Sequence, residues 1–126
     1  MPIQCAEILL QRGHKVCGII TPDDSCVCWA QEHNIPHADM KQDLVAFLGS
    51  QPFDYLFSIV NNSILPKEVF ALPRKASINY HDGPLPRYAG THATSWALMN
   101  RERSHGVSWH RIVEMVDAGD ILKQRQ

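Results

Sequence analysis

The sequence predicts an α/β fold: a Rossmann-like parallel sheet with flanking helices that lacks its first strand. Short apolar runs alternate with amphipathic segments, which is typical of this class. The run DYLFSIV, residues 54–60, is continuously apolar, as expected of a strand buried on both faces of a parallel sheet. The chain opens on a helix, where such folds normally open on a central strand. With 126 residues there is room for one core, so residues 1–126 are treated as one domain, expected to be partial.

The first half of the chain alternates helices with one strand. Residues 3–10 place apolar side chains on one side of a helix, and a glycine follows it as a stop signal. Residues 16–20 form a strand-type run that the turn sequence TPDD ends. Asp24 and Ser25 are expected to cap a helix that reaches about residue 33, and residues 41–49 are predicted to form a third helix.

The second half is richer in strands. A proline at position 66 can begin a short helix, because its missing N–H would be unpaired in the first turn of any helix. The predicted strands are 54–60, 75–79, 107–113 and 120–124, and a further helix spans 93–100.

Composition excludes several classes of protein. The net charge is −1 and no Lys/Arg-rich run occurs, so we expect no DNA or RNA partner. No apolar run approaches a membrane span and the first residues do not resemble a secretory signal, so a cytoplasmic protein without membrane contact is expected. Four clustered cysteines are too few for a disulfide scaffold, and the Cys26–Cys28 pair has no second pair to complete a metal site, so no metal is expected.

Polar residues at three places are candidates for a functional site. In an open parallel sheet ligands bind beyond the carboxyl ends of the strands. Residues 61–63 follow the strand at 54–60, Asn79 and His81 follow the strand at 75–79, and Asp117 lies in a turn after the strand at 107–113. These residues are therefore expected to meet at one edge.

An Asn, a His and an Asp together can transfer an acyl group to an amine. The amide and a protonated imidazole can donate hydrogen bonds to the oxyanion of a tetrahedral intermediate, and the carboxylate can hold the imidazolium or accept the proton of the amine. Each residue alone has a structural alternative: an Asx turn for Asn79 or Asp117, and a hydrogen-bonded structural histidine for His81. His92, His105 and His110 have no third ligand at metal spacing, and no role is predicted for them.

The segments NYHDGPLPRYAG, GVSWH and VDAGDI resemble the folate-dependent formyltransferases, whose pattern is close to N-x-H-x-S-L-L-P-x-x-x-G followed by D-x-G-D. The resemblance is to the N-terminal domain of methionyl-tRNA formyltransferase, in a family that also acts on phosphoribosylglycinamide and UDP-aminoarabinose. The segment THATSWALMNRERSHGVSWHRI is most similar to formyltransferase-like segments of nonribosomal peptide and polyketide synthetases. The resemblance covers most of the chain.

The resemblance implies that Asn79, His81 and Asp117 are catalytic and that 10-formyltetrahydrofolate is the formyl donor. It also implies a folate pocket with one wall in FSIVNNSILP and the other in the turn before Asp117. The residues expected to bind the folate are Asn62, Ser63, Ile64, Leu65, Phe70, Met115 and Val116. For the apolar ones, plain core packing is the alternative.

The resemblance leaves the acceptor open, with a small-molecule or carrier-bound amine expected. The alternatives are a folate-binding or interaction module without catalysis, and a hydrolase that passes the formyl group to water. The family's S-L-L-P is DGPLP here, so Gly83 lacks a hydrogen-bonding side chain and Pro84 lacks a backbone donor, which puts contacts of that loop in doubt. The stiff turn is expected to fix the direction of the catalytic residues.

The missing first strand leaves three alternatives. The runs 16–20 and 54–60 pair directly, another chain supplies the strand, or the sequence is a fragment of a longer one; the last is preferred. The expected partners are accordingly further domains of a longer polypeptide or a second copy of the chain, since unpaired edges promote association.

Overall fold

The computed structural model describes all residues, 1–126. They form two compact units, Met1–Phe53 and Asp54–Gln126. The helices are α1 (Pro2–Gln11), α2 (Asp24–Glu32), α3 (Leu44–Leu48), α4 (Lys67–Phe70) and α5 (Ala93–Met99). The strands are β1 (Ile19–Ile20), β2 (His37–Ala38), β3 (Tyr55–Ile59), β4 (Ala76–His81), β5 (Val107–Arg111) and β6 (Ile121–Arg125). The predicted α/β class is confirmed, and every predicted helix and strand has a counterpart.

The first unit contains α1, α2, α3 and a parallel pair of short strands, β1 and β2. Its core is formed by Trp29, Ala30 and Ile35, with apolar residues of α1 packed against them. The strand predicted at 16–20 is only two residues long, and β2 was not predicted, because two residues are too few to show a periodicity.

Helix starts in this unit differ slightly from the predictions. The cap of α2 is Asp23, one residue before the predicted Asp24 and Ser25, since Asp23 Oδ1 accepts the N–H groups of Ser25 and Cys26 at 2.8 and 3.2 Å. Asp43 caps α3 in the same way, so this helix begins at Leu44 and not at residue 41. In both places an aspartate that satisfies free N–H groups fixes the first turn.

The second unit is built on a four-stranded sheet in the order β3-β4-β5-β6. Strands β3 and β4 are parallel, as predicted, whereas β5 and β6 each run antiparallel to the preceding strand, so the sheet is mixed. Strand β1 pairs with β2 and strand β3 pairs with β4.

One face of this sheet is aromatic and partly exposed. Tyr55 and Phe57 are 47% and 40% exposed, so the prediction that β3 is buried on both faces is wrong. Phe57 and Tyr80 pack edge-on against Trp109, with ring centroids 6.3 and 5.2 Å apart. The continuous apolar run therefore reflects aromatic pairing across strands as well as burial.

The opposite face carries buried polar side chains, among which Ser108 is fully buried. Its hydroxyl donates to the carbonyl of Gly83 (2.7 Å) and accepts from the N–H of Leu85 (3.1 Å) and the side-chain amide of Gln124 (2.9 Å). A hydroxyl has one donor and two acceptor positions, and all three are used here. Ser108 therefore fastens the loop after β4 to strand β5.

Replacing Ser108 by Ala is expected to reduce the free energy of unfolding by about 1–3 kcal/mol, because buried partners of the hydroxyl are left unpaired. Chemical denaturation of the two proteins measures the difference. The matched control is Ser95→Ala on the exposed side of α5, where the change should be small. Equal stability of Ser108→Ala and the parent protein would contradict this role.

None of the helices is both long and apolar enough to cross a bilayer.

Candidate active site

Strand β4 holds Asn79 and His81 on the same face of the sheet. They lie two residues apart within β4, not beyond its end as predicted, and successive side chains of a strand point to opposite faces. In the antiparallel ladder Asn79 is opposite His110 and His81 is opposite Ser108. Four polar side chains of two neighbouring strands therefore occupy one face.

Asp117 reaches this face from the loop between β5 and β6. Its backbone is in the left-handed region (φ 54°), which aspartate tolerates better than most residues. The backbone N–H of Gly90 donates to Asp117 Oδ2 at 2.8 Å, and the side chain is 8% exposed. The turn and this bond direct the carboxylate inward.

The Asp117 carboxylate lies between two buried imidazoles. Oδ2 is 3.5 Å from His81 Nδ1, and Oδ1 is 3.3 Å from His110 Nε2. The side chains of His81 and His110 are 6% and 3% exposed. A buried carboxylate is costly unless it has donors, and the N–H of Gly90 together with a protonated His81 supplies them.

His110 is the member of the site that the sequence analysis missed. Its Nε2 lies 3.2 Å from Asn79 Nδ2, and its Nδ1 lies 2.9 Å from the carbonyl of Arg111, to which it donates. His110 therefore contacts both Asn79 and Asp117. The signal in the sequence was the alternation of Ser108 and His110 within an apolar strand, which places two polar residues on one face.

The ring of His81 is oriented by the loop that follows β4. Nε2 lies 2.8 Å from the carbonyl of Tyr88, so this nitrogen carries a hydrogen and donates it. Nδ1 then faces Asp117. In the imidazolium form the second N–H, on Nδ1, faces the Asp117 carboxylate at 3.5 Å, which is longer than a normal hydrogen bond and leaves this N–H available to a bound substrate.

The glycine of the DGPLP segment has a steric role. A Cβ atom at Gly83 would lie 2.8 Å from His81 Nε2 and 3.1 Å from the Cβ of Ala93. Any side chain at this position would displace the His81 ring or helix α5. Gly83, whose missing side chain was expected to put the ligand contacts of this loop in doubt, is thus required for the observed position of His81.

His92 and His105, for which no role was predicted, make local contacts. His105 Nε2 lies 2.6 Å from the carbonyl of Asp82, to which it donates, and His92 is the first residue before α5, with φ 61°. They lie on the chain segments around α5, apart from the polar face described above.

The residues predicted to bind a folate lie on two exposed loops, except Phe70, which ends α4. Ile64 is 79% and Met115 72% exposed. Asn62, Ser63 and Val116 are also exposed, and Leu65 and Phe70 are half-buried. The side chain of Asn61 bonds both the N–H and the carbonyl of Ser63 at 2.9 Å, so that backbone is already paired. Met115 and Val116 immediately precede Asp117.

An ion pair joins these two loops. Lys67, at the start of α4, bonds Glu114, which precedes Met115. The hydrogen bond and the charge of Lys67 lower the pKa of the Glu114 carboxyl, and Glu114 in turn raises the pKa of Lys67. The start of α4, directly after the first of these loops, is therefore in contact with the loop that carries Asp117.

The arrangement suits the stabilisation of a developing negative charge. An amide and an imidazole can donate to an oxyanion, and a neighbouring carboxylate can balance an imidazolium or accept a proton. Asn79, His81, His110 and Asp117 include no hydroxyl or thiol, and the Ser108 hydroxyl on the same face is engaged in three hydrogen bonds, so the arrangement suits direct attack by a second substrate.

Residues 15–126 match a family model described as formyl transferase. The bifunctional polymyxin resistance protein ArnA of Wigglesworthia glossinidia brevipalpis is 30% identical over 130 residues, which cover 92% of this chain and 20% of that protein. Methionyl-tRNA formyltransferase of Alkaliphilus oremlandii is 25% identical over 140 residues, covering 98% of this chain and 45% of that protein. The chain thus spans less than half the length of these curated relatives.

Among solved structures, a formyltetrahydrofolate deformylase from Pseudomonas syringae pv. tomato superimposes with a TM-score of 0.83 at 21% identity. The superposition covers 96% of this chain and 46% of that one. At this identity the likeness concerns the fold, which is Rossmann-like as predicted.

Proposed function

Because the chain belongs to the formyl transferase family, we propose that it transfers a formyl group from 10-formyltetrahydrofolate to a substrate amine. Residues 1–126 then form part of the catalytic domain of a formyltransferase. The observation that carries the proposal is the position of the Asp117 carboxylate between His81 and His110, with Asn79 against His110 on the same buried face.

In the proposed reaction the amine nitrogen attacks the formyl carbon, and the carbonyl oxygen becomes an oxyanion. Asn79 and protonated His81 stabilise that oxyanion by donating hydrogen bonds. Asp117 holds His81 as imidazolium and assists removal of the proton from the attacking nitrogen. When the bond from carbon to the folate nitrogen breaks, that nitrogen takes up a proton, so the number of protons balances.

The residues on the two exposed loops fit a folate as the second substrate. A flat pterin ring needs apolar contact on its faces and hydrogen bonds along its edge. Ile64, Met115 and Val116 supply exposed apolar surface, and the backbone N–H groups of Asn62 and Leu65 make no hydrogen bond within the chain. The deformylase that shares the fold is itself named for formyltetrahydrofolate.

The acceptor proposed is a small-molecule or carrier-bound amine. The two curated relatives are longer proteins, one of them bifunctional, and one is named for the aminoacyl group of methionyl-tRNA. Residues outside this segment are expected to select the amine, whereas the polar face of β4 and β5 performs the transfer.

The test is the release of tetrahydrofolate from 10-formyltetrahydrofolate by the full chain and by His81→Ala. Three arms are compared: an aminoacyl group on a carrier, a free amino sugar, and no amine. Amine-dependent release that His81→Ala lowers by about 10²-fold or more supports the proposal. Release at the same rate without an amine points to a hydrolase, and folate binding in calorimetry without release points to a binding module.

A further inference from the structure

Two backbone groups of one loop contact the proposed catalytic residues. We call residues 84–90, which follow β4, the strap. The carbonyl of Tyr88 accepts from His81 Nε2, and the N–H of Gly90 donates to Asp117 Oδ2, both at 2.8 Å. The strap therefore sets the hydrogen position on His81 and the direction of the Asp117 carboxylate together.

The strap has an unfavourable backbone that needs support from outside. Tyr88 has φ 60° and Gly90 has φ 95°, both in the left-handed region. Glycine adopts this conformation freely, but a tyrosine does so only where its surroundings hold it. The position of the Tyr88 carbonyl thus depends on what holds its side chain.

The support is a carboxylate on the chain just beyond α5. Glu102 Oε1 accepts the hydroxyl of Tyr88 at 2.7 Å and forms an ion pair with the guanidinium of Arg87, which also lies 5.1 Å from the centre of the Tyr88 ring. The side-chain amide of Asn100 donates to the same hydroxyl at 3.0 Å. We call Arg87, Tyr88, Asn100 and Glu102 the anchor.

The chemistry of the anchor requires a carboxylate. One oxygen of Glu102 accepts from a phenol and from a guanidinium on consecutive strap residues, and charged acceptors bind such donors more strongly than neutral ones. The side chain of Glu102 is only 22% exposed, so solvent screens the pair less than it screens a fully exposed one. A glutamine would keep the shape but lose the charge.

We infer that Glu102, through the hydroxyl of Tyr88, is a positioning residue that keeps the strap carbonyl on His81 Nε2 and so reserves Nδ1 for the reaction. His81 can then present the same nitrogen to Asp117 and to the oxyanion in every turnover. The catalytic consequence rests on the proposed function, whereas the hydrogen position on His81 does not.

The experiment compares the full chain with Glu102→Gln and Tyr88→Phe, which weaken the same link from its two ends. Nitrogen-15 NMR of the histidine rings at alkaline pH, where a neutral ring carries one hydrogen, reports which nitrogen of His81 is protonated. The parent should show hydrogen on Nε2, and both variants should show a mixture. The rate of formyl transfer should fall roughly ten- to a hundredfold, because small misplacements of reacting groups are costly, with folate affinity unchanged.

The controls are the same two kinds of substitution, carboxylate to amide and tyrosine to phenylalanine, made at the start of β3. Asp54→Asn breaks the exposed pair with Arg74, and Tyr55→Phe removes a phenol hydroxyl from a half-exposed ring. Neither should alter the His81 signals. If Glu102→Gln unfolds, Tyr88→Phe still tests the inference, because it removes only the hydroxyl and keeps the ring.

An unchanged His81 tautomer in Glu102→Gln and Tyr88→Phe would overturn the inference, whatever the activity. A shifted tautomer in a protein whose parent transfers no formyl group would leave the positioning role standing and contradict the proposed function instead. A shift also seen in Asp54→Asn would mean general loosening and would overturn the specific role of Glu102.

Discussion

Replacing Asp117 by Asn is expected to lower the rate of formyl transfer by about 10²–10⁴-fold, the usual contribution of a positioned acid or base. The change is nearly isosteric, and asparagine tolerates the left-handed backbone found at this position (φ 54°). The expected loss therefore comes from the charge and not from the fold.

The contacts of Asp117 explain why this substitution is expected to remove the charge without disturbing the structure. In Asp117→Asn the amide oxygen can still accept the N–H of Gly90, since that bond goes to Oδ2, and the amide nitrogen then takes the place of Oδ1 beside His110 Nε2. What disappears is the negative charge beside His81 Nδ1. Without it the imidazolium of His81 has lost its counter-charge and the amine has lost a proton acceptor.

Steady-state rates of tetrahydrofolate release measure the effect, with thermal unfolding and folate calorimetry run alongside. The control is Asp54→Asn, which removes a carboxylate that pairs with Arg74 on the exposed surface of the same unit. Folate affinity and the unfolding temperature should stay close to those of the parent. An Asp117→Asn variant that keeps more than about a third of the parental rate would exclude the role given to the carboxylate, because losing a positioned acid or base lowers the rate far more than threefold.

The proximity of Asn79 and His81 in the candidate site could be predicted because the two residues occur in one short motif. Asn79 and His81 are two residues apart, and a period of two places them on one face of any strand. Asp117 was predicted from the resemblance and from its position in a turn after a strand. His110 was missed because its proximity to Asn79 depends on the antiparallel pairing of β4 with β5, and pairing between strands is not encoded in the local pattern of either strand.

The fold, like the candidate site, could be predicted in part. Long apolar or amphipathic segments indicated the elements, since periodicity over many residues is a strong signal. The two-residue strand β2 and the antiparallel direction of β5 and β6 were not predicted, because they depend on contacts made far along the chain. The hydrogen bond between Tyr88 and Glu102 in the anchor could not be predicted for the same reason, because helix α5 separates the two residues in the sequence.

Removal of the Asn79 side chain is the second large effect expected. Asn79→Ala should lower kcat by about 10²–10³-fold, equivalent to about 2.7–4 kcal/mol, the usual loss when one oxyanion donor is removed. Its Nδ2 carries two hydrogens, and the contact with His110 Nε2 at 3.2 Å engages one of them. The other is free to donate to an oxyanion bound beside His81.

The position of Asn79 predicts how the loss divides between rate and binding. The amide lies on the buried face of β4, whereas the residues proposed to hold the folate lie on two exposed loops, so the dissociation constant for folate should change little. Single-turnover rates and calorimetry separate the two quantities, and Gln31→Ala on the exposed side of α2 controls for loss of an amide. A weaker folate complex with an unchanged kcat would make Asn79 a binding residue. Because an oxyanion exists only during the reaction, a fall in kcat alone is the result that identifies Asn79 as its donor.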